Sequence, residues 1–298
     1  MNSSSSAIAL GGISPAATGT LLAGLGVLSF SASFPATVVA LESFGPWTAT
    51  GLRGLLAAAL AGAALLIARA PRPARSDRAA VLVVALGCVV GFPLLTSLAL
   101  QTSSTAHSAV VIGALPMATA AISAVRTRTS PSPLFWGAAG VGAATVIAFA
   151  VMQNHGVPTV ADGYLFAALL MCAAGYAEGG RLARTMPGWQ VIAWAVVVAA
   201  PVSVAVTLLA LTHEPVRLTA PGVAGLAYIA AISQFGGFVV WYRGMALIGV
   251  PRASQLQLAQ PLLTLIWAVL LLGERFSATV PLTAMLVLAC IVVTQRAR

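Results

Sequence analysis

Runs of mostly apolar residues, each close to twenty residues long, alternate along the chain with short breaks that carry arginine, glycine, proline or an acid. An apolar run of about 20 residues crosses a bilayer core as a helix. Ten such runs are legible, near residues 17–41, 46–68, 79–100, 104–125, 134–152, 163–180, 189–211, 222–246, 253–272 and 280–295. The ninth and tenth are parted mainly by Gly273-Glu274-Arg275. The pattern predicts an all-α polytopic membrane protein with ten transmembrane helices. A flexible tail over residues 1–16 precedes two sets of five runs, over 17–152 and 163–295.

The ninth run is the least like plain lipid-facing sequence. It carries Gln255, Gln257, Gln260, Thr264 and Trp267. Gln257, Gln260, Thr264 and Trp267 stand at i, i+3, i+7 and i+10, which places them on one helix face. Pro261 removes a backbone donor beside them. A spanning helix must turn such a stripe toward protein or water. The stripe therefore predicts the lining of a substrate path, with interhelical hydrogen bonding as the competing use of the same glutamines.

Composition narrows the class further. The 298 residues are 59% hydrophobic and only 7% charged, against about 25% charged in soluble domains. The net charge of +9 comes from fifteen arginines and no lysine, set mostly in the breaks. With the N-terminus in the cytoplasm, twelve of the fifteen fall on the cytoplasmic side. The positive-inside rule then calls for an even number of spans with both termini cytoplasmic. The basic balance is thus a topology signal, and no nucleic-acid partner is expected. Cys88, Cys172 and Cys290 lie inside apolar runs, as small core or lipid-facing residues without disulfide or metal-ligand spacing. No nucleophile–histidine–acid set, phosphate loop or metal cluster is visible, so neither enzyme activity nor a cofactor is expected. The start of the chain lacks a positive n-region, which argues against a cleaved signal peptide.

The two halves echo each other. The run A-H-S-A-V-V-I-G-A-L-P-M-A-T-A-A-I-S-A-V, ending at Val125, resembles the ninth run, with Pro116 matching Pro261. Five spans per half is odd, so the second half would insert upside down relative to the first. Inverted repeats of this kind build transporters with a midplane site at the repeat interface.

Further candidates lie elsewhere. In the eighth run Gln234 is mid-span, near Tyr228, Ser233 and Phe238, while Trp241 and Tyr242 read as an interfacial aromatic pair. His107 opens the fourth run beside Ser104 and Ser108, as a substrate or pH-sensing group or a solvated interfacial histidine. Tyr176 is a cavity candidate in the sixth run. Ser29, Ser31 and Ser33 read as small residues for close helix contact. Pro35, Pro93, Pro116, Pro201 and Pro261 mark kinks. Arg53 and Glu178 are the charges well inside runs, and an intramembrane charge is functional by default. Arg53 could hold a substrate carboxylate or a helix-end carbonyl, and Glu178 an arginine. No carboxylate sits near the centre of a run, which favours a neutral or zwitterionic substrate and leaves proton coupling through a buried acid unsupported.

Four stretches carry a resemblance to a known family. They are S-F-S-A-S-F-P in the first run, L-R-G-L-L-A-A-A-L around Arg53, G-A-L-P around Pro116 and Q-P-L-L-T-L-I-W-A-V-L-L-L-G-E-R-F in the ninth. Over nearly the whole chain the sequence resembles the drug/metabolite transporter superfamily, EamA type, and within it the YddG-type exporters of aromatic and other neutral amino acids. The first half departs from the family pattern, with Arg126-Thr127-Arg128 where L-G-E often recurs. The resemblance implies two inverted five-helix repeats around a central cavity, spans five and ten at the periphery, and alternating access in a bacterial-type inner membrane. It points to export of a small-molecule substrate such as an amino acid; the missing buried acid leaves a uniporter or facilitator open, and a monomer is one possible assembly. Carriage of a nucleobase, sugar derivative or polyamine, or multidrug export, is the alternative.

Overall fold

Helices begin and end where the local chemistry directs. The computed structural model describes residues 14–128, 131–153, 157–248, 256–257 and 259–296. The first helix starts at Pro15, whose missing N–H costs nothing at a helix start, and Ser14 caps it by accepting from the Ala17 amide. Among the described residues, eight helices are long and apolar enough to cross a membrane. They are α1 (Pro15–Leu41), α2 (Pro46–Ile67), α3 (Arg75–Ala99), α4 (Thr105–Arg126), α5 (Pro133–Met152), α6 (Val160–Leu182), α7 (Gly188–Ala210) and α8 (Ala220–Ile248). Two shorter apolar helices follow, α9 (Ala259–Leu272) and α10 (Thr279–Val293). The helix expected from residue 253 is thus described only in part, and Gln255 lies outside the described residues.

Proline sets the interruptions. α1 breaks at Ala32, and Pro35 falls in the first turn of the segment that resumes at Ser33. Pro93 and Pro116 likewise stand at the second position of resumed segments, Phe92–Ala99 in α3 and Leu115–Thr127 in α4. Pro261 is the third residue of α9. Pro201 behaves differently, since α7 continues on both sides of it without interruption. Both α3 and α8 widen into π-helical turns, at Ala85–Gly91 and Tyr228–Gly236. π-turns accommodate an inserted residue and recur at functional sites.

The halves share a numerical frame. The π-turns end at Gly91 and Gly236, and 236 − 91 = 145 residues separate them. Pro116 and Pro261 differ by 261 − 116 = 145. Left-handed residues close α4 at Arg128 (φ 52°) and α9 at Gly273 (φ 64°), again 273 − 128 = 145 apart.

Pairwise packing builds the bundle. α1 lies along α8, α2 along α7 and α10 along α5, while α6 packs on α3 and the later part of α4. Glycines allow the closest approaches. A Cβ at Gly244 would come within 2.4 Å of the Ala23 amide nitrogen, and one at Gly26 would meet Trp241. α5 is the least buried of the long helices. Exposed leucines and valines such as Leu21, Leu25, Leu208 and Leu209 give the bundle an apolar exterior suited to lipid.

Charges tie the two ends. At the arginine-rich end Glu178 of α6 bonds Arg126 Nε of α4 (2.5 Å) and Arg181 Nε (3.0 Å), and Arg181 reaches Asp77 at 3.4 Å. At the opposite end carboxylates cap helices from other parts of the chain. Glu214 accepts from the Trp47 and Thr48 amides at the start of α2. Glu274 accepts from those of Thr105 (2.8 Å) and Ala106 (3.0 Å) at the start of α4. Negative charge is favourable at a helix N-terminus, where amides lack intrahelical partners.

Candidate functional site

A cavity opens among the helices at the level of the π-turns and the proline breaks. It holds about 850 Å³ of atom-free space, counting its mouth. α9 supplies one wall with Gln260, Pro261 and Thr264, Gln257 lines it just before α9, and α4 approaches it with Gly113 and Pro116. α1 contributes Phe30, Ser33 and Phe34, and α8 contributes Ser233, Gln234 and Phe238. Arg53, Cys88, Phe92, Cys172 and Tyr176 also line it.

The apolar side is an aromatic cluster. Phe30 and Phe238 lie 4.8 Å apart between ring centroids, and Tyr176 meets Phe238 edge-on at 6.2 Å. Phe34 stacks on Phe92 at 6.4 Å. Such offset and edge-on contacts give rigid apolar surface at little entropic cost.

The polar side centres on Arg53, which is only 7% exposed. Its Nε donates to Gln234 Oε1 at 2.8 Å and its Nη2 to Ser233 Oγ at 3.3 Å. Adjacent residues of the π-turn therefore grip one guanidinium. Gln234 is oriented in turn by donating from Nε2 to the Cys88 carbonyl at 3.4 Å, and the Ser233 and Ser33 hydroxyls hydrogen-bond to each other at 2.7 Å. Among the described residues Arg53 has no ion-pair partner, and no carboxylate lines the cavity.

Proline also organises the α1–α9 contact. Pro35 has no N–H to offer the Ser31 carbonyl four residues earlier. Thr264 Oγ1 approaches that oxygen at 2.8 Å, with the Gln260 carbonyl of its own helix a second acceptor at 3.0 Å, and Trp267 Nε1 donates to Ser31 Oγ at 2.9 Å. Thr264 thus faces the cavity while fixing α9 against the break in α1.

Of the residues singled out from sequence, Gln257, Gln260, Thr264, Gln234, Tyr176 and Arg53 line the cavity together. Trp267 does not line it and instead bonds Ser31. His107 and Ser108 lie outside the lining. His107 Nε2 is 2.7 Å from Asp162 Oδ1, its ring stacks on Phe149 at 5.2 Å, and it is buried rather than solvated. Asp162 also closes a capping box with Thr159 at the start of α6. The Ser108 hydroxyl is buried without a partner among the described residues. Trp241 and Tyr242 pack within the bundle: Trp241 is buried against Gly26 and Phe30, and Tyr242 packs on Gly188. Small glycines at the facing positions admit these rings into the bundle. None of the three cysteines faces lipid, and Cys88 and Cys172 line the cavity.

Ser33, Ser233, Phe30 and Phe92 are site residues that sequence patterning did not single out as such. The signal for Ser33 was its place in a serine-rich stretch just before Phe34-Pro35, read only as close packing. For Ser233 a 3.6-residue period conceals that the π-turn aims it at the same group as Gln234.

Comparison with known proteins agrees with this architecture. The EamA-like transporter family matches residues 17–151 and again 159–295, one match per half. A Bacillus subtilis (strain 168) protein described as "Uncharacterized transporter YdeK" is 40% identical over 272 residues, covering 91% of this chain and 95% of its own. A solved crystal structure matches with a TM-score of 0.64 at 19% identity, over 93% of this chain and 97% of the other, a likeness of fold alone.

Proposed function

Because the chain belongs to the EamA-like transporter family, we propose that it exports small neutral metabolites by alternating access, with aromatic and other neutral amino acids as the leading substrate class. The observation that carries this reading is the cavity itself. An aromatic cluster of Phe30, Phe34, Phe92, Tyr176 and Phe238 faces polar groups on Arg53, Gln257 and Gln260, with no carboxylate among the lining residues. That division suits a molecule with an apolar side chain and a polar head. A polyamine or lipophilic cation would meet an arginine and find no acid, which disfavours both.

The finer architecture follows from the same pieces. Ten membrane helices in two inverted five-helix repeats fit the two family matches, the two short apolar helices and the 145-residue frame. A bacterial-type inner membrane with both termini cytoplasmic fits the arginine distribution. Kinship to the YddG-type exporters rests on the sequence resemblance. Among the described residues no acid lines the cavity, which favours facilitated export down the substrate gradient over proton coupling through a cavity carboxylate.

Uptake of labelled phenylalanine, methionine and threonine into liposomes bearing the purified protein tests the reading, with and without a proton gradient. Saturable uptake that needs no gradient, reduced at least about tenfold in a Gln260→Ala, Phe238→Ala variant, is expected. Folded protein that moves none of the three overturns the amino-acid assignment.

A further inference from the structure

Arginine offers five N–H donors in a planar fork, with a side-on edge formed by Nε and Nη2 and an end-on edge formed by Nη1 and Nη2. In this cavity protein acceptors hold the side-on edge, Gln234 on Nε and Ser233 on Nη2. The end-on edge is left over: Nη1 makes no hydrogen bond to any described residue, and Arg53 is among the residues that line the cavity. A guanidinium buried without a counter-charge is costly unless something compensates it. Neither Gln234 nor Ser233 brings negative charge, and no described carboxylate pairs with Arg53: Glu178 and Asp77 are taken by other arginines, Asp162 by His107, and Glu214 and Glu274 by helix starts.

Resting on the transporter reading above, we infer that the end-on edge of Arg53 is a docking point for a substrate carboxylate, so that the carboxylate and not the ammonium is the obligatory polar group of a transported molecule. The fork matches a carboxylate with two parallel charge-assisted bonds. The aromatic cluster then receives the side chain. Gln234 and Ser233 are positioning residues: they hold the fork so that its free edge meets the cavity, and Ser33 steadies Ser233. An ammonium finds only neutral partners here, the glutamine oxygens and the ring faces. Aromatic carboxylates without an amine are therefore ligands, and amines without a carboxylate are not.

The test compares four molecules of one shape on purified wild-type protein in lipid nanodiscs: phenylalanine, 3-phenylpropionate, phenethylamine and phenylalanine methyl ester, each read by thermal shift and by direct calorimetry. The expected result is binding of the first two, with the amine and the ester weaker by at least about tenfold. Arg53→Gln should bring all four to the same weak level, and Arg53→Lys should keep the preference for carboxylates at reduced affinity, because it retains charge but not the fork. The wild-type comparison needs no variant, so misfolding of Arg53→Gln does not blunt it. Equal binding of phenylalanine and its methyl ester overturns the carboxylate site and leaves amino-acid transport standing. Binding of 3-phenylpropionate alone does the reverse. Folded protein that binds neither carboxylate overturns both.

Discussion

Thr264 shows how much one residue's role depends on a partner far away in sequence. Its hydroxyl can donate to the Ser31 carbonyl because Pro35 removes the amide that would otherwise serve that oxygen. Thr264→Val keeps the shape and deletes the donor. It should destabilise the protein by about 1–3 kcal/mol, read as a lower Tm in detergent. Pro35→Ala restores an N–H four residues from Ser31, so the double variant should lose clearly less than the two single losses combined. Strict additivity would refute the proposed coupling. At this scale Arg53 was legible from sequence, because a lone charge in an apolar run stands out. Ser33 and Ser233 were not, because a serine in such a run is equally suited to close packing.

The helices themselves carry two comparisons between halves and between faces. The left-handed position that closes α9 is filled by Gly273, whereas its counterpart closing α4 is Arg128. A side chain in that conformation costs about 1 kcal/mol, so Arg128→Gly should be neutral to stabilising by about that amount in thermal unfolding. A clear loss of stability would mean that the Arg128 side chain contributes more than its backbone strain costs. On α8, a Cβ at Gly244 would press into the Ala23 amide, whereas one at Gly24 on α1 would meet nothing within 4 Å. Gly244→Ala should cost about 1–3 kcal/mol by overpacking, and Gly24→Ala should lie within about 0.5 kcal/mol of wild type. Equal behaviour of the two would contradict the close α1–α8 packing. Helix positions and most breaks were readable because hydropathy, proline and glycine act locally. The π-turns were not, because nothing in a 3.6-residue period marks where a helix widens to accommodate an extra residue.

For the whole molecule the distribution of charge sets the two ends apart. One end gathers the Glu178 network with Arg126, Arg181 and Asp77, and the other uses Glu214 and Glu274 as helix caps. The proposed orientation places the first end in the cytoplasm. Ala74→Cys and Ser277→Cys, both at exposed positions, test it with a membrane-impermeant maleimide. Ser277→Cys should react in intact cells, and Ala74→Cys only after permeabilisation. The reverse pattern would invert the topology, and labelling of both from one side would break the even-span arrangement.

The sequence by itself determined the class of protein, the placing of most helices and the arginine-rich end. Each of these follows from the transfer of local segments into lipid, which depends on composition and short-range spacing. Only the tertiary structure decided which polar residues converge. It joined Arg53 to Ser233 and Gln234 across about 180 positions of chain, gave His107 to Asp162 rather than to the cavity, and turned Trp267 onto Ser31. Those pairings are choices among many apolar surfaces of similar hydropathy. They are settled by helix packing at glycines, by carbonyls that prolines leave free, and by the widened turns of α3 and α8, none of which acts within a single run.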